Sequence, residues 1–195
     1  MNFIQKLSFK KYYRHNYLYY VNILKMKNNK NNCAFLDRDG VINFDRGYIN
    51  TFSKLKFREG VIDGLRILTK EKYLIFIITN QAGIAKGHIK YKELIRLNRE
   101  LLNFFKKKGI KITKIKFCPH HEKGIIKRYS KKCNCRKPGN LMIKEVFQKW
   151  KVDKSKSFMI GDRHKDRLAA KKSKLYFQYA KNNFKDQILN LISRR

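Results

Sequence analysis

The chain is short of acid. Against 48 lysines and arginines stand only 14 aspartates and glutamates, giving a formal charge of +34 over 195 residues. Only two prolines occur, and neither an internal repeat nor a low-complexity linker interrupts the sequence, which excludes repeat arrays and strings of small domains. No run approaches the ~20 apolar residues of a membrane-spanning helix; YLYYVNIL (17–24) is too short and too polar at its edges. Cysteine is sparse as well. Of the four, Cys133 and Cys135 are separated by a single residue, a spacing that disfavours a mutual disulfide and favours a metal knuckle in a reducing, cytoplasmic setting.

What is present suffices for one globular core. With 43% hydrophobic and 13% aromatic residues, the chain is too apolar for disorder despite its charge. Lys, Asn and Ile recur along the whole length, as in KNNKNN and KSKLYFQYAKNNFK, a dispersal that reflects coding composition and solubility more than a nucleic-acid surface. The first 36 residues hold no acid, and no small-residue cleavage site follows them. Residues 1–25 are therefore expected to be a dispensable basic extension or an over-called start, with a targeting segment as the lesser alternative, and 26–195 the functional domain.

Short apolar runs alternate with helical patterns, the signature of an α/β fold with a largely parallel sheet. Strands are expected at CAFLD (33–37), YLIFIITN (73–80), TKIKFC (113–118), SFMIGD (157–162) and LYFQYA (175–180). Helices are expected over 60–72, 91–108, 141–150 and 185–193, the second stopped by Gly109.

The scarce acids are grouped: five of eight aspartates fall in two clusters, Asp37, Asp39 and Asp45, then Asp162 and Asp166. Grouped carboxylates point to a divalent cation or to acid–base chemistry, with surface ion pairing as the alternative. Asp37, Thr79 and Asp162 each close an apolar run, and in an open parallel sheet ligands bind outside the carboxyl ends of the strands. In FLDRDGVIN (35–43), Asp37 and Asp39 are two apart, so an extended backbone projects both to one side. One could attack phosphorus while the other moves the proton, with Gly40 permitting the tight turn. Alone, D-x-D-G is equally compatible with a calcium-type loop or a plain turn.

Four segments in order, FLDRDGVIN, TNQAGIAKG (79–87), CRKPG (135–139) and GDRHKD (161–166), resemble the four motifs of the haloacid-dehalogenase-like phosphatases. The resemblance implies a three-layer Rossmann-like parallel sheet with a minimal cap and a zinc-binding loop. It implies Asp37 as nucleophile, Asp39 as acid/base, Thr79 as a donor to the phosphoryl group and Lys137 as the charge that steadies it. Mg2+ would be held by the Asp37 carboxylate, the Asp39 backbone carbonyl and Asp162. Asp166 is expected to cap the following helix or to orient Lys137.

Finer features, DRGYI (45–49), GIAKG (83–87) and CPHH (118–121) with CNCRKP (133–138), are similar to the heptose-bisphosphate phosphatase branch and, less closely, to the histidinol-phosphate branch. That likeness implies removal of a 7-phosphate through an aspartyl-phosphate, in lipopolysaccharide core synthesis, by a monomer whose partner is a small sugar bisphosphate rather than nucleic acid or membrane. Asp45, Arg46, Gly47, Tyr48, Asn80, Gln81, Ala82, Arg136 and Arg163 would contact the substrate. Cys118, His120, Cys133 and Cys135 would hold structural Zn2+, with His120 preferred over His121; Cys33 reads as buried filler, and His15, His88 and His164 as surface residues. Three departures stand out: Arg163 replaces a usual lysine, Gly139, Asn140 and Leu141 are expected to loosen their loop, and LAAKKSKL (168–175) runs on without the glycine usual after LAA. A reading of another class, a non-catalytic basic zinc protein on nucleic acid, gains nothing from acids at strand ends, which repel phosphate without a metal.

Overall fold

The computed structural model describes residues 30–193; the expected extension, 1–25, lies outside them. Strands β1 (Cys33–Leu36), β2 (Leu74–Asn80), β3 (Ile112–Cys118), β4 (Phe158–Gly161) and β5 (Tyr176–Tyr179) form one sheet in the order β3-β2-β1-β4-β5, and every pairing is parallel. β1 is therefore central. The chain builds outward from it through β2 and β3, then crosses back to β4 and β5, and this reversal of strand order opens a crevice at the carboxyl ends of β1 and β4.

Period-two alternation assigns the strand side chains to two faces. Ala34, Leu36, Ile75, Ile77, Phe158 and Ile160 pack with α1 (Val61–Lys70), α2 (Tyr91–Lys107) and α5 (Phe184–Ser193) through Leu65, Leu68, Leu101, Phe105, Ile188 and Leu191. Cys33, Phe35, Phe76, Ile78 and Met159 face α3 (Leu141–Lys149) and α4 (His164–Lys172) through Ile143, Val146, Ala169 and Ala170. The result is the expected three-layer sandwich, its β1, β2 and β4 core buried on both sides, as runs such as LIFII require. Cys33 is buried in this core.

Helix α4 is the element that apolar periodicity does not mark. HKDRLAAKK carries a single leucine, and the helix seats on the sheet through small Ala169 and Ala170. Its start is fixed instead by a capping interaction, the Asp166 carboxylate accepting the Arg163 amide at 3.0 Å. Between β1 and α1 the chain makes only a loop with one 3-10 turn, Phe52–Lys54, so the cap is minimal. Between β3 and α3 runs a loop of similar length whose tip docks on the segment after β2: the amides of Ile125 and Ile126 both donate to the Ala85 carbonyl, at 2.8 and 2.9 Å. Among the described residues no helix is long and apolar enough to cross a membrane.

Candidate active site

β1 runs directly into Asp37, whose amide still bonds the Ile160 carbonyl of β4 at 2.9 Å. The Asp37 side chain is buried. Its Oδ1 lies 2.9 Å from Lys137 Nζ and accepts the Arg38 amide at 2.8 Å; among the described residues no donor reaches Oδ2. Lys137 is equally buried, and its three ammonium hydrogens have three oxygens in reach: Asp37 Oδ1, Asp166 Oδ1 at 2.7 Å and the Ile78 carbonyl at 2.7 Å. Asp166 thus both orients Lys137 and caps α4.

Burial pushes the Asp37 carboxyl up to about 6, against the pull of Lys137, with the Asp166 and Asp39 charges adding to the rise. For Lys137 burial favours the neutral amine, but the Asp37 and Asp166 charges outweigh it and hold the ammonium above its ordinary value. Burial and the nearby Asp166 raise the Asp162 carboxyl too. Carboxylate oxygens of Asp37, Asp162 and Asp166 all lie within 4.8 Å of one another. Such a gathering of hard oxygen donors fits a divalent cation of the Mg2+ type. Asp166 faces Lys137 and the Arg163 amide with its two oxygens and does not line the cavity, whereas Asp37 and Asp162 do, which leaves Asp37 and Asp162 for the ion. The Asp39 carbonyl receives no hydrogen bond among the described residues, in keeping with its expected place in the set. Gly40 makes the approach of Asp162 possible: its φ is +85°, and a Cβ there would stand 2.4 Å from the Asp162 carboxylate.

Asp39 is held by three side chains. Arg38 Nε and Nη2 bond Oδ1 at 3.1 and 3.0 Å, Nη2 also bonds Oδ2 at 2.9 Å, Asn43 Nδ2 reaches Oδ1 at 2.9 Å and Gln81 Nε2 reaches Oδ2 at 2.9 Å. Gln81 Nε2 also donates to Thr79 Oγ1 at 2.9 Å, tying the end of β2 to the loop after β1. Arg38 and Asn43 were not singled out in the sequence, although the period of two that aims Asp37 and Asp39 one way also turns Arg38 the other way, into the protein.

An open cavity of about 380 Å³ covers this rim, and Asp37, Asp39, Thr79 and Asp162 line it. Of the expected substrate contacts, Asp45, Gly47, Tyr48, Asn80, Gln81, Ala82, Arg136 and Arg163 line it too. Arg46 does not. It belongs to a neighbouring cavity of about 600 Å³ with Lys54 and Lys56, because Arg163 draws Asp45 toward the site at 3.2 Å and the next residue of the loop turns away. Asn80 has both ends of its amide committed to the Lys137 backbone, donating to the carbonyl and accepting from the amide at 3.0 Å each. Lys165, not marked in the sequence, joins the cationic rim of the cavity. Arg163 spans Asp162 through Nε at 3.0 Å and Asp45 through Nη2, a fork that lysine lacks. Tyr48 stacks on His88 at 4.3 Å and 18°, so His88 is exposed yet backs a wall of the site. The 139–141 loop is tight rather than loosened: Leu141 N bonds Asn134 O at 3.1 Å, and a Cβ on Gly139 would stand 2.2 Å from that same carbonyl oxygen.

Cys118, His120, Cys133 and Cys135 converge. The three sulfurs are 3.1–3.5 Å apart, and His120 Nδ1 stands 3.4 Å from Cys135 Sγ and 3.7 Å from Cys118 Sγ. Ligands at tetrahedral zinc distances, ~2.3 Å for sulfur and ~2.0 Å for nitrogen, stand roughly 3.5–3.8 Å from each other, so the donor set fits Zn2+ with a slight opening. His121 is outside the cluster and accepts the Lys123 amide at 3.1 Å.

The polynucleotide kinase 3 phosphatase family matches residues 41–189. A D-glycero-beta-D-manno-heptose-1,7-bisphosphate 7-phosphatase of Rhodopseudomonas palustris is 41% identical over 138 residues, 71% of this chain and 77% of the relative. A D-glycero-alpha-D-manno-heptose-1,7-bisphosphate 7-phosphatase of Photorhabdus laumondii is 40% identical, covering 72% and 77%. Two solved structures share the fold. A HAD-like phosphatase from Mesorhizobium loti gives a TM-score of 0.75 at 22% identity, over 84% of this chain and 85% of its own. D,D-heptose 1,7-bisphosphate phosphatase from B. bronchiseptica, complexed with magnesium and phosphate, gives 0.69 at 23% identity, over 82% and 86%. With relatives of this identity, this fold and an aspartate-lined cavity at the switch point of the sheet, the chain belongs to the heptose-1,7-bisphosphate phosphatase family of haloacid-dehalogenase-like hydrolases and is a phosphoric monoester hydrolase.

Proposed function

We propose that the chain removes the 7-phosphate of D-glycero-D-manno-heptose 1,7-bisphosphate through an aspartyl-phosphate on Asp37. One observation carries this reading: Asp37 has one oxygen pinned by Lys137 and the Arg38 amide, and the other, at the cavity, without a donor among the described residues. Asp37 Oδ2 attacks phosphorus, the bond from phosphorus to the sugar oxygen breaks, and Asp39 gives that oxygen its proton. Asp39 then takes a proton from water as the water oxygen attacks the acyl phosphate, which frees inorganic phosphate and restores Asp37. Thr79 donates to the phosphoryl oxygens, and Lys137 offsets the charge that collects around Asp37. Asp37, Asp162 and the Asp39 carbonyl would hold Mg2+, which when bound would supply charge neutralisation between carboxylates and phosphate.

The sugar and its second phosphate lie against Asp45, Tyr48 and the cationic rim of Arg136, Arg163 and Lys165. That rim favours a bisphosphate over histidinol phosphate, whose second functional group is an ammonium. The Cys118, His120, Cys133 and Cys135 site is structural, ordering the chain that delivers Arg136 and Lys137, and its free thiols suit a reducing, cytoplasmic compartment. In this reading the product feeds lipopolysaccharide core synthesis. The test is to offer the Mg2+-loaded protein heptose 1,7-bisphosphate, fructose 1,6-bisphosphate and histidinol phosphate, with 31P NMR identifying the ester that is lost. Loss of the 7-phosphate alone, far faster than hydrolysis of the other two, is expected; equal rates on all three, or preference for histidinol phosphate, overturn it.

A further inference from the structure

We infer that Arg38 is a positioning residue for the reaction: its guanidinium grips both oxygens of Asp39 and fixes the plane of the carboxylate, with its Oδ2 edge turned toward the leaving oxygen. The inference rests on the reading of Asp39 as the proton donor. Arg38 is 1% exposed although it lies between two acids of the site. Oδ1 of Asp39 takes three donors, Arg38 Nε, Arg38 Nη2 and Asn43 Nδ2. Oδ2 takes Arg38 Nη2 and Gln81 Nε2, and Gln81 and Thr79, which share a hydrogen bond, are on the cavity wall. The cavity side of the carboxylate is thus its Oδ2 edge.

A carboxylate held at one point can spin and tip; a planar guanidinium gripping both oxygens fixes its plane as well as its place. That matters because a proton donor must come within about 2.6–3.2 Å of the atom it serves, and a misplacement of about 1 Å can cost a factor of roughly 10². The turn alone does not call for the arginine. Its backbone hub is the Arg38 carbonyl, which accepts the amides of Ile42 at 2.8 Å and Asn43 at 3.1 Å, and any residue supplies a carbonyl. Keeping a guanidinium there is unfavourable, since burial removes its water and Nη1 has no hydrogen-bond partner among the described residues. An apolar side chain would satisfy the fold more simply. What only the fork provides is a fixed Asp39.

The test compares kcat/KM on the heptose bisphosphate, a primary alkyl ester whose oxygen needs a proton, with kcat/KM on p-nitrophenyl phosphate, whose phenolate leaves without one. This parameter reports the steps through departure of the leaving group, and the ratio of the two values on one preparation is independent of the folded fraction. Asp39→Asn serves as the reference. Asp39→Asn and Arg38→Met are both expected to lose about 10²-fold or more on the alkyl ester and a few-fold at most on the aryl ester, within the range of general acid catalysis. Arg38→Lys, which keeps the buried charge without the fork, is expected to show the same selective loss to a smaller degree, and covers the case in which Arg38→Met does not fold. Equal losses on both esters in the Arg38 variants, or none, beside a selective loss in Asp39→Asn, overturn the inference and leave Arg38 structural. Equal losses in Asp39→Asn itself overturn the assignment of Asp39 as donor.

Discussion

Lys137→Met removes a cation from between two buried carboxylates. Lys137 is 2% exposed, with Nζ 2.9 Å from Asp37 and 2.7 Å from Asp166; methionine fills much of the same space and leaves both acids facing each other. Breaking a buried pair by removing one partner costs about 3–5 kcal/mol. At roughly 2–4 °C per kcal/mol for a domain of this size, Tm falls by roughly 6–20 °C. Catalysis is lost separately, since one preorganised charge is worth about 10²–10³ in kcat. The loss carries a pH signature. Asp37 is raised from 3.8 to about 6 by burial while Lys137 pulls it down, so without Lys137 it rises further and the acid limb of the rate profile moves to higher pH. Stability follows the same sign: the folded chain holds the Asp37 proton more tightly than the unfolded one, so this group's contribution falls as pH rises from about 4 to about 6, and the window extends upward in the variant. The double variant Lys137→Met, Asp166→Asn relieves the repulsion and regains part of the Tm but none of the turnover. Thermal melting and phosphate release at several pH values on both variants make the assay. A single variant that melts within about 2 °C of the parent and keeps an unshifted acid limb refutes the assignment of this cluster as the electrostatic centre of the site.

Asp37→Asn is expected to abolish turnover with the fold intact, since burial already disfavours the Asp37 charge and Lys137 keeps Asp166 as its ionic partner; residual turnover or failure to fold contradicts this. Mg2+ competes with protons at Asp37 and Asp162, both raised carboxyls, so its stabilisation of the fold should be larger at pH 7.5 than at pH 5.5; at a hundred times its Kd the gain is about 2.7 kcal/mol, or roughly 5–11 °C, and a shift independent of pH argues for another site. Cys133→Ala should release zinc and lower turnover with Mg2+ in excess, since Cys135 immediately precedes Arg136 and Lys137; a zinc-free, fully active variant shows in elemental analysis and phosphate release that the loop serves stability alone. A chain started at Met26 should match the full chain in Tm and turnover, and a large drop in either gives residues 1–25 a part in the domain.

Strands were legible because their apolar runs end on a polar residue, as β1 ends before Asp37 and β4 before Asp162. Helices α1, α2, α3 and α5 carry leucine, valine or isoleucine at helical spacing. α4 does not, since a helix resting on the sheet through two alanines leaves almost no hydrophobic periodicity; its signal was the aspartate three residues past Arg163. Within the site, motif order was enough to collect Asp37, Asp39, Thr79, Lys137 and Asp162 in one place and the four zinc donors in another. Side-chain direction in irregular loops was not legible: Arg46 turns away from the cavity while its neighbour Asp45 enters it. Nor was the network on Asp39, where Arg38, Asn43 and Gln81 meet from segments up to 43 residues apart. Such convergence is a property of packing, and no local pattern encodes it.

Covalent chemistry on Asp37 is read out by quenching turnover in acid and mapping the phosphoryl group by peptide mass spectrometry. The Mg2+-loaded protein is mixed with heptose 1,7-bisphosphate and stopped within the first turnover, and Asp39→Asn is treated alongside. A phosphoryl group is expected on the peptide containing Asp37, and on no other, and it should persist longer in Asp39→Asn because no base activates the water. Phosphate release with no labelled peptide at any time in either protein, or a label on Asp162 or another residue, contradicts it.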